Sequence, residues 1–204
     1  HSTSETSKRS KRRAQTIAEE ILAKQCLVTE KHILKVLRAW NFKNNTSRQN
    51  VMPVGVDAVF SETLGLVQSR TGLVVLTKPT RKYPAFFKLL ARWLYDHVPE
   101  SFPFTSISVN FAYNARRHRD GGNLGPSVAF SLGAFTGGAL QYWGDDDSTT
   151  SLEKLAAFPP LVLKTNEGIV LFDGTRAHAV SAFEGERYSL VFFTHSCLQK
   201  ASLA

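Results

Sequence analysis

The sequence predicts an α+β fold in which helices come first and a jelly-roll β-core follows. Three observations point there. Before Pro99, apolar residues recur at helical spacing; beyond Pro103 the texture changes to short β-rich runs parted by Gly, Asp and Pro; and those runs carry no further helical period. Short strands at this spacing suggest a jelly roll. At 204 residues, 43% hydrophobic and 11% aromatic, the chain suits one sizeable core.

Residues 1–13 read as a basic, Ser/Thr-rich flexible arm. Helical spacing of Ile17, Ile21 and Leu22, and again of Ile33, Leu34, Leu37 and Trp40, makes 14–50 an N-terminal helical segment, closed by a polar loop over 41–50 around Asn44-Asn45. The main domain then spans 51–204. Within it a third helix runs from Pro84 to His97 on Phe86, Phe87, Leu89, Leu90, Trp93 and Leu94, with Pro99 as its stop. The strand runs are 105–113, 127–132, 139–142, 161–163, 168–172, 177–180 and 188–194, with a turn near 152–157.

No apolar run approaches the roughly 20 residues that cross a bilayer, and no secretory signal opens the chain, so an intracellular protein without a membrane partner is expected. Cys26 and Cys197 fit neither a disulfide framework nor a zinc site and are expected as buried thiols. Lys+Arg number 25 against 17 Asp+Glu, a surplus of +8 that favours an anionic partner. Half of it sits on the arm, where Lys8, Arg9, Lys11, Arg12 and Arg13 face only Glu5. The arm is then a nucleic-acid contact, a solvated linker, or a localisation signal that would make the protein nuclear.

His118-Arg119-Asp120 sends an imidazole and a carboxylate to one face of an extended chain while Arg119 points away. His178 arrives about sixty residues later on another β-rich run. Two His and one carboxylate leave open positions suited to iron(II) that must take both a chelating co-substrate and oxygen. Nine residues after His178, Arg187 can grip a carboxylate through two parallel hydrogen bonds, and Ser189 on the same face adds a third. The set describes a chelated 2-oxo acid with its distal carboxylate pinned.

This order resembles the 2-oxoglutarate/iron(II) oxygenases, whose cupin-like double-stranded β-helix would cover roughly Val51 to His195. Two segments are similar to the TET/JBP branch, which oxidises the 5-methyl group of pyrimidine bases in nucleic acid. One is His118-Arg-Asp-Gly-Gly-Asn123; the other is Arg187-Tyr-Ser-Leu-Val-Phe-Phe-Thr-His195. The resemblance implies iron(II), 2-oxoglutarate and O2 as cofactor and co-substrates, with His118, Asp120 and His178 as catalytic metal ligands. It implies Arg187 and Ser189 as co-substrate contacts, and Asn123 and His195 as base contacts. It also implies a nucleic-acid partner, DNA ahead of RNA. The chain lacks the Cys-rich region of the animal enzymes, and its His178-to-Arg187 spacing is shorter, so 5-methylcytosine, thymine and RNA bases all stay open. Oligomeric state is not legible.

Tyr113 and Asn114 could reach the co-substrate but are assigned to packing; Gly137-Gly138-Ala-Leu140 is assigned to close strand approach. Asp145–Asp147 reads as a solvated hairpin tip, Asp173 as a turn, and Phe135, Tyr142 and Trp143 as core aromatics that could alternatively stack on a base. His32 and His97 receive no role. Two other functions compete: a prolyl-hydroxylase-like oxygenase of proteins or small molecules, which has no need of Asn123 and His195, and a non-catalytic jelly-roll module that binds nucleic acid.

Overall fold

The computed structural model describes residues 2–48, 51–98 and 102–201. His1, the Gln49-Asn50 end of the expected loop, and Pro99, the expected helix stop, lie outside them. Helices α1 (Ser2–Ala23), α2 (Glu30–Ala39), α3 (Lys78–Lys82) and α4 (Pro84–His97) accompany twelve strands. These are β1 (Asn44–Asn45), β2 (Val59–Gln68), β3 (Val74–Leu76), β4 (Ser106–Phe111), β5 (Ser127–Leu132), β6 (Phe135–Gly137), β7 (Leu140–Tyr142), β8 (Leu161–Leu163), β9 (Val170–Phe172), β10 (His178–Val180), β11 (Phe183–Gly185) and β12 (Tyr188–Phe193).

Of the flexible arm expected at 1–13, the described residues 2–13 are instead the front half of α1. Its buried stripe runs Lys11, Ala14, Ala18, Ile21, at helical spacing. The stripe begins with a charge because Lys11 Nζ reaches Glu62 Oε2 on β2 at 2.7 Å and lies 4.4 Å from the Trp40 ring centroid. An apolar count therefore misses it. Asn44-Asn45, expected in a loop, pairs with Phe60 and Val59 of β2. Cys26 is exposed, contrary to expectation, because α1 has ended by then; Cys197 is buried.

Among the described residues the strands pair antiparallel in two main sheets, ordered β1-β2-β4-β12-β5-β9, with β3 beside β2, and β10-β7-β8; β11 pairs with β6 separately. From β4 the chain crosses to a single bridge at His118 beside β10, returns in β5, crosses to β7 and β8, returns in β9, crosses to β10 and returns in β12. This alternation between two facing sheets is the double-stranded β-helix, the jelly roll that the strand spacing predicts.

Side chains alternate across the large sheet. Ile107, Val109, Val128, Phe130, Leu190 and Phe192 turn one way and join Ile33, Leu37, Phe86, Leu89, Trp93 and Leu94 of the helices in one cluster. Trp93 packs its ring 4.6 Å from Phe130 and 6.3 Å from Phe192. Each such fully buried side chain contributes roughly 1.5–3 kcal/mol. Helices α1 and α2 share this core, which braces one face of the sheet and leaves the other to line a cavity.

The strand β2 escapes sequence reading. At Ser61, Glu62 and Thr63 both faces are polar, since Glu62 serves Lys11 on the helix side while Ser61 and Thr63 share register with Asn110 and Ser108 on the other. The apolar alternation that marks a half-buried strand is absent there.

Candidate functional site

His118 and His178 sit directly opposite each other, each backbone N–H donating to the other's carbonyl at 3.0 Å. Such a pair sends both side chains to one face, and the two rings lie 4.2 Å apart. The Nδ1 atoms meet the carbonyls of Arg116 (2.6 Å) and Arg176 (2.9 Å). A carbonyl only accepts, so each Nδ1 carries the proton and each Nε2 keeps a free lone pair. Asp120 is drawn in by its N–H to the Gly174 carbonyl at 2.8 Å. Its Oδ1 then lies 3.6 Å from His118 Nε2 and its Oδ2 3.6 Å from His178 Nε2.

All three potential ligand atoms fall within 4.8 Å of one another. Burial, together with the neighbouring His178, lowers the His118 pKa to about 4, which keeps that imidazole neutral. Burial would raise the Asp120 pKa, but the adjoining His178 and His118 rings and the Arg48 guanidinium hold it below the usual carboxylate value. Two imidazoles whose Nδ1–H is fixed on a carbonyl, and one carboxylate, are the donor set a divalent transition metal takes.

The triad opens on a cavity of about 480 Å³ that is also lined by Asn123, Arg187, Ser189 and His195. All seven residues expected at the site from sequence thus border one space. Arg187 is 3% exposed, and burial lowers its pKa to about 10. Its Nη2 donates to Ser131 Oγ and the Gly138 carbonyl, both at 3.0 Å, while its buried Nε has no partner among the described residues. Phe135 and Phe183 flank the guanidinium at 5.5 and 5.3 Å. Among the described residues no carboxylate pairs with it. A buried cation without a counter-charge is costly, and its cost falls when an anion enters. Ser189, two residues on, accepts from Asn110 Nδ2 at 3.3 Å.

Asn123 and His195 face each other in a second isolated bridge. Asn123 Nδ2 lies 3.3 Å from Ser127 Oγ. His195 Nδ1 accepts from the Cys197 N–H at 3.0 Å, which leaves the proton on Nε2 as a donor. Burial lowers the His195 pKa, in keeping with a neutral ring.

The cavity holds residues the sequence reading passes over: Arg48, Ser108, Asn110, Ser131 and Thr165. Ser106, Ser108 and Asn110 alternate with apolar residues along β4, so a period-2 count would have found that polar face. Arg48 has no such signal, arriving from a loop to within 3.5 Å of Ser108 Oγ. Tyr113 both packs and lines the cavity, whereas Asn114, Tyr142 and Trp143 do not line it. Asp173 makes the expected turn, accepting from Thr175 N–H at 2.9 Å. The Asp145–Asp147 tip is not wholly solvated. Asp146 is buried because Arg119 reaches across to it with two hydrogen bonds of 2.7 and 2.6 Å.

No family model matches the chain, and no curated protein matches it. Among solved structures it is similar to an oxidoreductase of the 2OG-Fe(II) oxygenase family from Burkholderia pseudomallei, at 18% identity over 80% of this chain and 77% of that one, TM-score 0.48. It is similar to NgTET1 in complex with 5mC DNA, at 17% identity over 66% and 60%, TM-score 0.44. A prolyl hydroxylase from Trichoplax adhaerens, in complex with a hypoxia inducible factor peptide fragment, aligns at 15% identity over 93% and 82%, TM-score 0.45. Likeness at this level assigns neither family nor substrate, and the functional reading rests on the site. No described helix is long and apolar enough to cross a membrane.

Proposed function

We propose that the chain is an iron(II)- and 2-oxoglutarate-dependent dioxygenase that hydroxylates the 5-methyl group of a pyrimidine base in nucleic acid, with DNA ahead of RNA. One observation carries the reading: His118, Asp120 and His178 present their ligand atoms to a cavity that also exposes a buried guanidinium, Arg187, with no carboxylate of its own. A triad that covers one side of an ion leaves room for a chelating 2-oxo acid and oxygen. Iron(II) bound there supplies the activation of O2 at the cost of the 2-oxo acid, which leaves as succinate and carbon dioxide.

The chain's own residues bind and orient. Arg187 takes the distal carboxylate in a charge-assisted pair within a buried, aromatic-flanked pocket, and Ser189 offers a hydroxyl from the same strand face. The carbonyls of Arg116 and Arg176 hold the imidazoles in the ligating tautomer. Beside the metal triad, Asn123 offers an amide and His195 an Nε2–H donor, a combination suited to the hydrogen-bonding edge of a base. That pair favours a base over a prolyl side chain, which has no such edge. A base in a duplex must be flipped to reach the cavity, at roughly a few kcal/mol.

The test is mass spectrometry of nucleosides after the protein is incubated with iron(II), 2-oxoglutarate and DNA or RNA containing thymine and 5-methylcytosine. A hydroxymethylated base is the expected product. Turnover of 2-oxoglutarate stimulated by peptides but by no oligonucleotide would overturn the choice of substrate while keeping the chemistry.

A further inference from the structure

Five cations gather on a face the proposed reaction does not use. Lys8 and Arg12 stand four residues apart on α1, about 6 Å of helical rise; Lys43 precedes β1; Lys78 and Lys82 belong to α3. All five are exposed. They line two adjoining depressions between α1, α3 and the β1 edge of the large sheet, which share Lys8, Lys82 and Tyr83. None of the five takes part in an ion pair among the described residues. The acid on this wall, Glu62, is already occupied, accepting from Lys11 and from Trp40 Nε1 at 2.6 Å. Like charges crowded without counter-charge oppose the compact state, so the arrangement suits an anion that spans several of them.

The groove also neighbours the cavity. A third depression shares Lys43, Asn44, Glu62 and Pro79 with the larger basic one and includes Thr63 of β2. Thr63 lines the cavity of His118, Asp120 and His178 as well. The basic depressions and the cavity thus lie on either side of Thr63, at the β1-β2 edge of the sheet. Among the described residues, none of the large exposed apolar side chains lines the groove, which disfavours a lipid surface or an amphipathic peptide.

The geometry points to this groove as a track for the phosphodiester backbone of the nucleic acid whose base enters the cavity. Lys8, Arg12, Lys43, Lys78 and Lys82 contact successive phosphates without reading sequence. The inference rests on the nucleic-acid reading above and adds the surface that holds the polymer. It also accounts for both sides of the front of α1, where one helix carries Lys11 inward to fix its position and Lys8 and Arg12 outward to the groove.

The test is fluorescence anisotropy of a labelled oligonucleotide containing 5-methylcytosine, single-stranded and duplex, titrated with the whole chain at several salt concentrations. The triple variant Lys8→Glu/Arg12→Glu/Lys82→Glu should bind at least roughly tenfold more weakly and lower the slope of log K against log salt by about 2–3. The double variant Arg9→Glu/Arg13→Glu, on exposed α1 positions outside the groove, should shift the slope clearly less per charge. Should the triple variant fail to fold by circular dichroism, Arg12→Ala and Lys82→Ala are measured singly, each expected to lower the slope by roughly 1. An unchanged salt slope in the groove variants, or an equal loss in the control pair, overturns the groove. Tighter binding of polyglutamate or of phosphatidylserine vesicles than of either oligonucleotide also overturns it. Oxidation of oligonucleotides with an unchanged slope defeats the groove alone, whereas no binding or oxidation of any oligonucleotide defeats the substrate reading beneath it.

Discussion

Arg119 and Asp146 form an ion pair that ties together the two segments carrying the proposed metal triad. Arg119 stands between His118 and Asp120 and donates to both carboxylate oxygens of Asp146, and its Nη2 also reaches the Thr150 carbonyl at 2.7 Å. Asp146 in turn accepts from the backbone N–H of Ala177 at 2.7 Å, the residue before His178. One buried carboxylate thus holds both imidazole-bearing segments in register without touching a ligand atom.

Asp146→Asn keeps the volume and loses the charge. Groups that orient ligands typically cost 10–100-fold in metal affinity when removed, and this one acts a step further away through the backbone. Cobalt(II) binding, followed by its visible absorption, should weaken by roughly tenfold, and Arg119→Lys should fall between the variant and the wild type. Unchanged cobalt affinity with lowered thermal stability would reduce the pair to a structural brace.

The same carboxylate gives a pH signature. The hydrogen bonds from Arg119, then those from the Ala177 and Ser148 N–H groups, hold the Asp146 pKa at about 2 against the burial that would raise it. Its folded-state pKa lies below the unfolded value near 4. The stabilisation is therefore complete above about pH 4 and is lost as the pH falls through about 2. Melting curves between pH 5 and 2 should fall less steeply for Asp146→Asn than for the wild type, and parallel curves would contradict the assignment.

What could be read from the sequence follows from how local each signal is. His118-x-Asp120 and Arg187-x-Ser189 are legible because a two-residue step on a strand decides which side chains share a face, and β5, β8 and α4 have the bounds their patterns predict. Asp146 is not legible, since the partner that buries it is Arg119, 27 residues earlier. Helix α1 is hidden in its first half for the same reason, its inward Lys11 depending on Glu62, 51 residues on. Buried charges look like surface charges until their partners are known.

For the metal triad, His118→Ala or Asp120→Ala should abolish iron-dependent succinate production from 2-oxoglutarate. Each removes one of three ligand atoms and leaves the other two too few to hold the ion against solvent. Both variants should also lose cobalt binding. Wild-type turnover in either one would sink the assignment of the site.

Arg187 should be read out by ligand-induced stabilisation. A ligand that binds only the folded chain adds RT ln(1 + [L]/Kd), about 2.7 kcal/mol at one hundred times Kd. With manganese(II) in place of iron to prevent turnover, 2-oxoglutarate should raise the melting temperature of the wild type and leave that of Arg187→Met nearly unmoved. Removal of a buried, carboxylate-free guanidinium relieves a desolvation cost, so the variant should still fold. An equal rise in both proteins would place the distal carboxylate elsewhere.

Gly138 tests how tightly the pocket wall closes on that guanidinium. Its backbone lies in the left-handed region, φ +68°, and a Cβ built there would come within 2.6 Å of Arg187 Nε and 2.8 Å of its Cδ. Its carbonyl also accepts from Arg187 Nη2. The Gly-Gly pair before β7 thus does more than let strands approach, because its second glycine shapes the pocket around Arg187. Gly138→Ala combines a left-handed alanine, about 1–2 kcal/mol, with overpacking against a buried side chain, about 1–3 kcal/mol. The melting temperature should fall, and the KM for 2-oxoglutarate should rise more than kcat drops, since the displaced group is the one proposed to bind the co-substrate and does not touch the proposed metal triad. Gly168→Ala, where a Cβ meets nothing within 4 Å, should change neither. Equal effects of the two substitutions would show that Gly138 contributes no more than an ordinary glycine.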